Sequence, residues 1–182
     1  MTDDDAREPL MTRPVRLADV PETGLDVRIE ADPAERAAIA GADALVSLES
    51  LSADLTVVRK GERRAEVSGR LRARLTQMCV VTLEPFETTL EAEIEARFAA
   101  AAEARRPRGG RGEAQDAPQE AAMDDADPIV NGEIDLGALV EEFFTLNLDP
   151  HPRRPGARFD AAQFPAEGEA SPFAALKGLK KE

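Results

Sequence analysis

Across residues 47–98 apolar side chains fall on every second position through three successive runs, a period that only extended chain can turn into one buried face. In the first run Leu51, Ala53, Leu55 and Val57 share one face, while Ser52, Asp54 and Thr56 share the other. Lys60, Gly61 and Glu62 then make a turn. The second run sets Val67, Leu71, Ala73, Leu75 and Cys79 against Glu66, Ser68, Arg70, Arg72, Arg74 and Thr76, as a strand with one wet side requires. The third, with Phe86, Leu90, Ala92, Ile94, Ala96 and Phe98 in step, also fits a helix, because its Ala and Glu content and its 90, 94, 98 spacing suit one. Cross-strand chemistry favours the strand. An antiparallel return that sets Leu71, Ala73 and Leu75 beside Ile94, Ala92 and Leu90 also sets Arg70, Arg72 and Arg74 beside Glu95, Glu93 and Glu91. Each exposed pair contributes about a few tenths of a kcal/mol, so such a ladder sets register more than stability.

The flanks add shorter elements. Residues 13–20 alternate Val15 and Leu17 with Arg16, and residues 24–31 alternate Leu25, Val27 and Ile29 with Asp26, Arg28 and Glu30. Asp32, Pro33 and Glu35 form a helix start with a capping-box spacing, and the helix should close near Gly41. Asn131-Gly132 is a turn pair. Asp135 caps a second helix with an apolar stripe of Leu136, Leu139, Val140, Phe143 and Leu146, which Asp149-Pro150-His151-Pro152 ends. The expected fold class is α+β and mostly antiparallel β, a curled sheet or partly open barrel with two short helices and disordered linker and tails. The expected organisation is a flexible N-terminus at 1–12 and a single domain at 13–148, interrupted by a disordered linker at about 99–128. A mobile C-terminal tail at 149–182 would end in a short helix, where Phe173, Leu176 and Leu179 line one side above Lys177, Lys180 and Lys181.

Charge and the scarcity of reactive side chains narrow the function. A net charge of −13 repels nucleic acid at long range and suits a basic protein partner. One Cys and one His fall short of the four ligands of a structural zinc site, so no metal and no cofactor is expected. Cys79 falls on the apolar face of its strand and reads as a buried, inert thiol. His151, between two prolines, has no evident nucleophile or orienting carboxylate. No catalytic residue is assigned, and an enzyme is not expected. A lone cysteine fits a reducing compartment, and neither a secretory leader nor an apolar run of membrane-spanning length is visible, so the reading is cytoplasmic with no membrane partner. Direct RNA binding has two weaker supports. One is Arg108-Gly109-Gly110-Arg111-Gly112; the other is residues 59–74, from Arg59 to Arg74, with seven basic and two acidic side chains. Arg70, Arg72 and Arg74 are therefore candidate partner-binding residues. Phe173 and Leu176 are two more, in a segment that docks on either the domain or a partner groove.

Residues 67–86, Val-Ser-Gly-Arg-Leu-Arg-Ala-Arg-Leu-Thr-Gln-Met-Cys-Val-Val-Thr-Leu-Glu-Pro-Phe, resemble the YceD family of large ribosomal RNA subunit accumulation proteins, in the form typical of alphaproteobacteria. The stretches at Arg13-Pro14-Val15-Arg16-Leu17, Gly132-Glu133-Ile134-Asp135-Leu136-Gly137, Leu148-Asp149-Pro150-His151-Pro152-Arg153 and Pro172-Phe173-Ala174-Ala175-Leu176 resemble the family's other landmarks, in the same order. Many relatives carry Cys-x-x-Cys-Leu where this chain has Cys79-Val80-Val81-Thr82-Leu83, so a metal role in the family does not transfer. The resemblance implies a non-enzymatic factor in 23S ribosomal RNA accumulation and large-subunit assembly. Its implied partner is a basic ribosomal protein or large-subunit precursor, with weak ribosomal RNA contact; oligomeric state is left open.

Overall fold

Three long antiparallel strands form the centre of the molecule. In the computed structural model, which describes residues 8–100 and 126–158, these are β3 (Ser47–Arg59), β4 (Arg64–Met78) and β5 (Pro85–Ala100). β2 (Leu25–Glu30) pairs antiparallel with β3, and β6 (Asp127–Ile129) pairs parallel with the last residues of β5, giving the order β2-β3-β4-β5-β6. Among the described residues the sheet does not close into a barrel. A second, two-stranded sheet joins β1 (Pro14–Arg16) to β7 (Glu133–Asp135). Among the described residues the helices are α1 (Pro33–Ala42), between β2 and β3, and α2 (Leu136–Leu146), directly after β7.

The period of two does its expected work. Val57, Val67, Leu71, Leu75 and Ile94 are completely buried on the inner face, and α1 and α2 close over them with Ile39, Leu136, Val140 and Phe144. Met11 is buried in the same core, so the described end of the segment expected to be flexible, from Glu8 onward, takes part in packing. At α1 the Asp32 carboxylate accepts from the Ala34 and Glu35 amides and Glu35 accepts from the Asp32 amide, a complete capping box. At α2 one oxygen of Asp135 accepts from the Gly137 and Ala138 amides and also from Arg13, at 2.9, 3.1 and 2.8 Å. That carboxylate caps the helix and ties the N-terminal segment to it.

Two glycines mark close approaches. A Cβ on Gly69 would stand 2.2 Å from the Asp54 carbonyl oxygen, and one on Gly137 would stand 2.7 Å from the Met11 carbonyl oxygen. The first lets β3 and β4 come together in mid-sheet. The second lets residues 11–13 cross over the start of α2.

Several expectations need correction. The β4–β5 register is two residues from the expected one: Leu71 faces Ala92, Ala73 faces Leu90, and Arg70, Arg72 and Arg74 face Glu93, Glu91 and Thr89. Both registers preserve the buried face, and the length of the connection at 79–84 chooses between them. Leu17 leaves the first strand for a single 3-10 turn, Leu17–Asp19. β5 runs to Ala100 and β6 starts at Asp127, so both ends of the segment expected as a linker at about 99–128 lie in strands. On α2 the stripe turns toward Phe144, fully buried, and leaves Leu146 exposed, because 3.6 residues per turn carries position 144 back under the helix where position 146 swings out.

Candidate partner-binding surface

The outer face of the central sheet is a mosaic of charges. Arg70 reaches Glu93 at 3.3 Å, and Arg72 reaches Asp54 at 3.2 Å and Glu91 at 3.9 Å. Lys60 pairs with Glu66 at 3.2 Å, and Arg28 sits 3.7 Å from Asp54. Arg74 faces Ser50 and Thr89 across its two neighbouring strands. It also lies near Glu49, whose carboxyl is held below the usual range by the Ser47 hydroxyl first, with Thr76 and the charge of Arg74 contributing. The structure thus brings Arg70, Arg72 and Arg74 onto one face, as the sequence predicts, and sets acids among them. These pairs are about half exposed, so each contributes roughly 0 to 1 kcal/mol and holds little of the fold together.

The β4–β5 connection is built differently. The Cys79 amide donates to the Glu84 carbonyl and the Leu83 amide to the Cys79 carbonyl, both at 2.9 Å. Leu83 takes the left-handed conformation, with φ 56°, which a residue with a branched side chain adopts only when its surroundings impose it. Those surroundings include the segment after α2. The Val80 amide donates to the Pro152 carbonyl at 2.9 Å, the Arg154 amide donates to the Cys79 sulfur at 3.4 Å, and the Arg154 guanidinium meets Glu84 at 2.9 Å. The stretch expected to begin a loose tail is, over 152–154, a strap across this turn.

Inside the turn Cys79 is completely buried. Its thiol is lowered to about 6 by the Thr82 hydroxyl first, then by the backbone amides of Arg154, Thr82 and Val81, while desolvation pushes the other way. The Thr82 oxygen is itself buried and makes no hydrogen bond of regular geometry. The buried position of Cys79 is as read from the sequence; the cradle of donors is not. It depends on three backbone amides, one from a segment 75 residues away, and no side-chain pattern announces it. Around the same turn Val46, Met78, Val80 and Leu83 are exposed apolar side chains. Such clustering marks contact surface more often than chance scatter does.

The remaining candidates do not add chemistry. His151 is exposed, and its amide donates to Asp149 at 2.8 Å in a local turn. Among the described residues no three His, Cys, Asp or Glu side chains come together as metal ligands, and no helix is long and apolar enough to cross a membrane. Acidic side chains line a cleft between α2 and the sheet, where Glu66, Glu95, Asp127 and Glu142 surround Phe143. Desolvation raises the Asp127 carboxyl there. Phe173, Leu176 and the Arg-Gly stretch at 108–112 lie outside the described residues.

Among known families the chain matches the model described as Large ribosomal RNA subunit accumulation protein YceD, over residues 67–180. No curated protein and no solved structure matches the chain. The matched span opens in β4 and takes in the Cys79 turn and the 152–154 strap.

Proposed function

The chain belongs to the YceD family, and on that premise we propose that it serves 23S ribosomal RNA accumulation in the cytoplasm as a non-catalytic binder of a basic partner. The partner class is a ribosomal protein or the protein-bearing surface of an immature large subunit. A role in accumulation of large-subunit ribosomal RNA follows from the family; the mode of action is the proposal.

The observation that carries it is the interleaving of acids with the arginines of the exposed sheet face. Arg70 and Arg72 each have a carboxylate within 4 Å, in a chain of net charge −13. Phosphate binding draws its affinity from cations that shed phosphate counterions, and an arginine already paired with a carboxylate supplies less of that. Arg70, Arg72 and Arg74 contribute to the partner face as part of a mixed-charge pattern, and Phe173 with Leu176 supply an apolar contact.

The test is depletion of the protein in its own cells, followed by measurement of 23S RNA against small-subunit RNA and of the subunit profile. A selective fall in 23S RNA and in large subunits is expected. Normal levels of both would refute the reading. A salt titration of RNA affinity addresses direct RNA binding: tight binding that weakens steeply with salt would displace the protein-partner reading.

A further inference from the structure

β5 is a long strand with a short neighbour. On one side it pairs with β4 from Pro85 to Ala99, without a bulge. On the other, β6 covers only Phe98 to Ala100. Among the described residues nothing pairs with the outer edge of β5 over residues 85–97. The direction of its backbone groups follows from parity. The Ala100 amide donates to the Arg63 carbonyl on the β4 side, and in an antiparallel ladder alternate residues bond to the same neighbour. The even-numbered residues of β5 therefore face β4. Glu87, Thr89, Glu91, Glu93, Glu95 and Arg97 turn their amides and carbonyls to the open edge.

The side chains along that edge carry a pattern of their own. On the outer face stand Glu87, Glu91, Glu93 and Glu95, all exposed. Glu91 and Glu93 keep 64% and 75% of their side-chain surface open to solvent despite their arginine partners. On the inner face Phe86, Leu90 and Ala92 are only half-buried, while Ile94, further along the same face, is completely covered. The core thus runs out toward the start of β5 with apolar surface still showing. The exposed Val80 and Leu83 add further apolar surface in the turn that leads into β5.

We infer that the β5 edge, residues 85–97, is a strand-addition site for an extended segment of a partner protein in which basic and apolar residues alternate. Resting on the partner-binding reading above, it names the surface and the kind of segment. An added strand satisfies the edge amides and carbonyls. Its apolar positions fall beside Phe86, Leu90 and Ala92, and its lysines or arginines fall beside the glutamate row, because side chains on neighbouring strands share faces. A lone row of edge charges would also deter self-pairing; the half-covered inner face is what a merely protective edge would not need. RNA lacks the backbone donors to extend a sheet, so this site selects protein.

The experiment titrates the full chain with three synthetic peptides: one alternating lysine with valine, one of the same composition with lysines and valines in separate blocks, and one alternating glutamate with valine. Amide hydrogen exchange is the readout. The alternating lysine peptide should protect the amides of residues 87–97 at odd positions. It should bind about tenfold or more tightly than the block peptide, a difference of about 1.4 kcal/mol; the glutamate peptide should not bind. Thr89→Pro, which removes an edge amide and no amide bonded to β4, should abolish the protection while leaving the circular dichroism spectrum and melting temperature near those of the parent chain. Equal affinity for the alternating and block peptides, protection elsewhere, or edge amides already protected without peptide, as occupation by the chain's own residues would give, would each overturn the inference. If edge binding fails while depletion still lowers 23S RNA, the strand-addition site falls and the proposed function stands; if edge binding holds while 23S RNA is unaffected, the reverse is true.

Discussion

Two glycines should respond to the same substitution with opposite sign. In Gly69→Ala the new Cβ would meet the Asp54 carbonyl oxygen at 2.2 Å and the Leu55 Cα at 2.9 Å, where ordinary contact begins at 3.4 Å. Both obstacles involve backbone, so rotation of a side chain gives no relief. β3 and β4 must separate by about 1 Å locally, against a normal spacing of about 4.8 Å. That separation stretches the ladder pairs on either side, Asp54 with Arg70 and Thr56 with Ser68. Overpacking of about 1 to 3 kcal/mol, with a weakened hydrogen bond of about 0.5 kcal/mol on each flank, gives a loss of about 2 to 4 kcal/mol. For a domain of this size that lowers the melting temperature by roughly 10 °C. In Gly41→Ala the Cβ meets nothing within 4 Å, and the position is helical, so alanine should stabilise by about 0.5 to 1 kcal/mol. Thermal and denaturant unfolding followed by circular dichroism reads both. A Gly69→Ala protein as stable as the parent would refute the argument that mid-sheet contact requires a bare backbone.

Three further outcomes follow from single side chains. Asp135→Ala removes a helix cap and the anchor of the Arg13 amide and should cost about 1 to 2 kcal/mol in urea unfolding; a loss below about 0.3 kcal/mol would be inconsistent with the shared carboxylate. Cys79 should ionise near 6, read by thiolate absorbance, and Thr82→Val should raise that midpoint because the Thr82 hydroxyl is the largest cause of the shift. Since the folded value is depressed from about 9, the thiolate's contribution is complete above the unfolded pKa and is lost as pH falls through about 6; the stability gap between the parent and Cys79→Ala should widen between those limits, and a constant gap would count against the cradle. Arg72→Ala breaks two ion pairs but both are about half exposed, so unfolding should change by less than about 1 kcal/mol, and a larger loss would mean that the mosaic has a structural role.

How much of this was legible in the sequence differs by kind of information. Face assignment was, because a period of two or 3.6 is local: Leu71, Leu75 and Ile94 went to the core and Arg70, Arg72 and Arg74 to solvent, and Asp32 and Asp135 capped where their spacing required. Register was not. A shift of two residues keeps every face and still sets Arg70 and Arg72 opposite glutamates, so pattern alone cannot distinguish the alternatives. The deciding feature is a turn with Leu83 at positive φ, a conformation with no composition signal in a leucine. β6 went unread for a similar reason. It has three residues, includes Pro128, and pairs in parallel with the end of β5, so its existence depends on topology. The 152–154 strap was missed because its contacts are made by amides and a carbonyl, which every sequence possesses. The one available hint was that Asp149-Pro150-His151-Pro152 resembles a family landmark, as the Cys79 stretch does; the structure places the two against each other.

The charge mosaic bears on the choice between a phosphate backbone and a protein strand as partner. Alternate residues on one strand face stand about 6.5 to 7 Å apart, so Arg70, Arg72 and Arg74 form a row whose spacing resembles that of phosphates along a chain. Taken alone, such a row would attract RNA, the more strongly the lower the salt. Here Asp54, Glu91 and Glu93 lie within 4 Å of the Arg70 and Arg72 guanidinium groups, much closer than the screening length of about 8 Å in physiological salt. Beyond that distance the positive and negative contributions largely cancel, and the net field is that of an acidic protein. Recognition by this face must therefore happen at contact range, through which sign each strand presents. A uniformly negative backbone laid along the β5 edge would meet the glutamate row with like charge; a polypeptide strand can set cations beside that row, because its side chains repeat with the same period as the sheet that presents them.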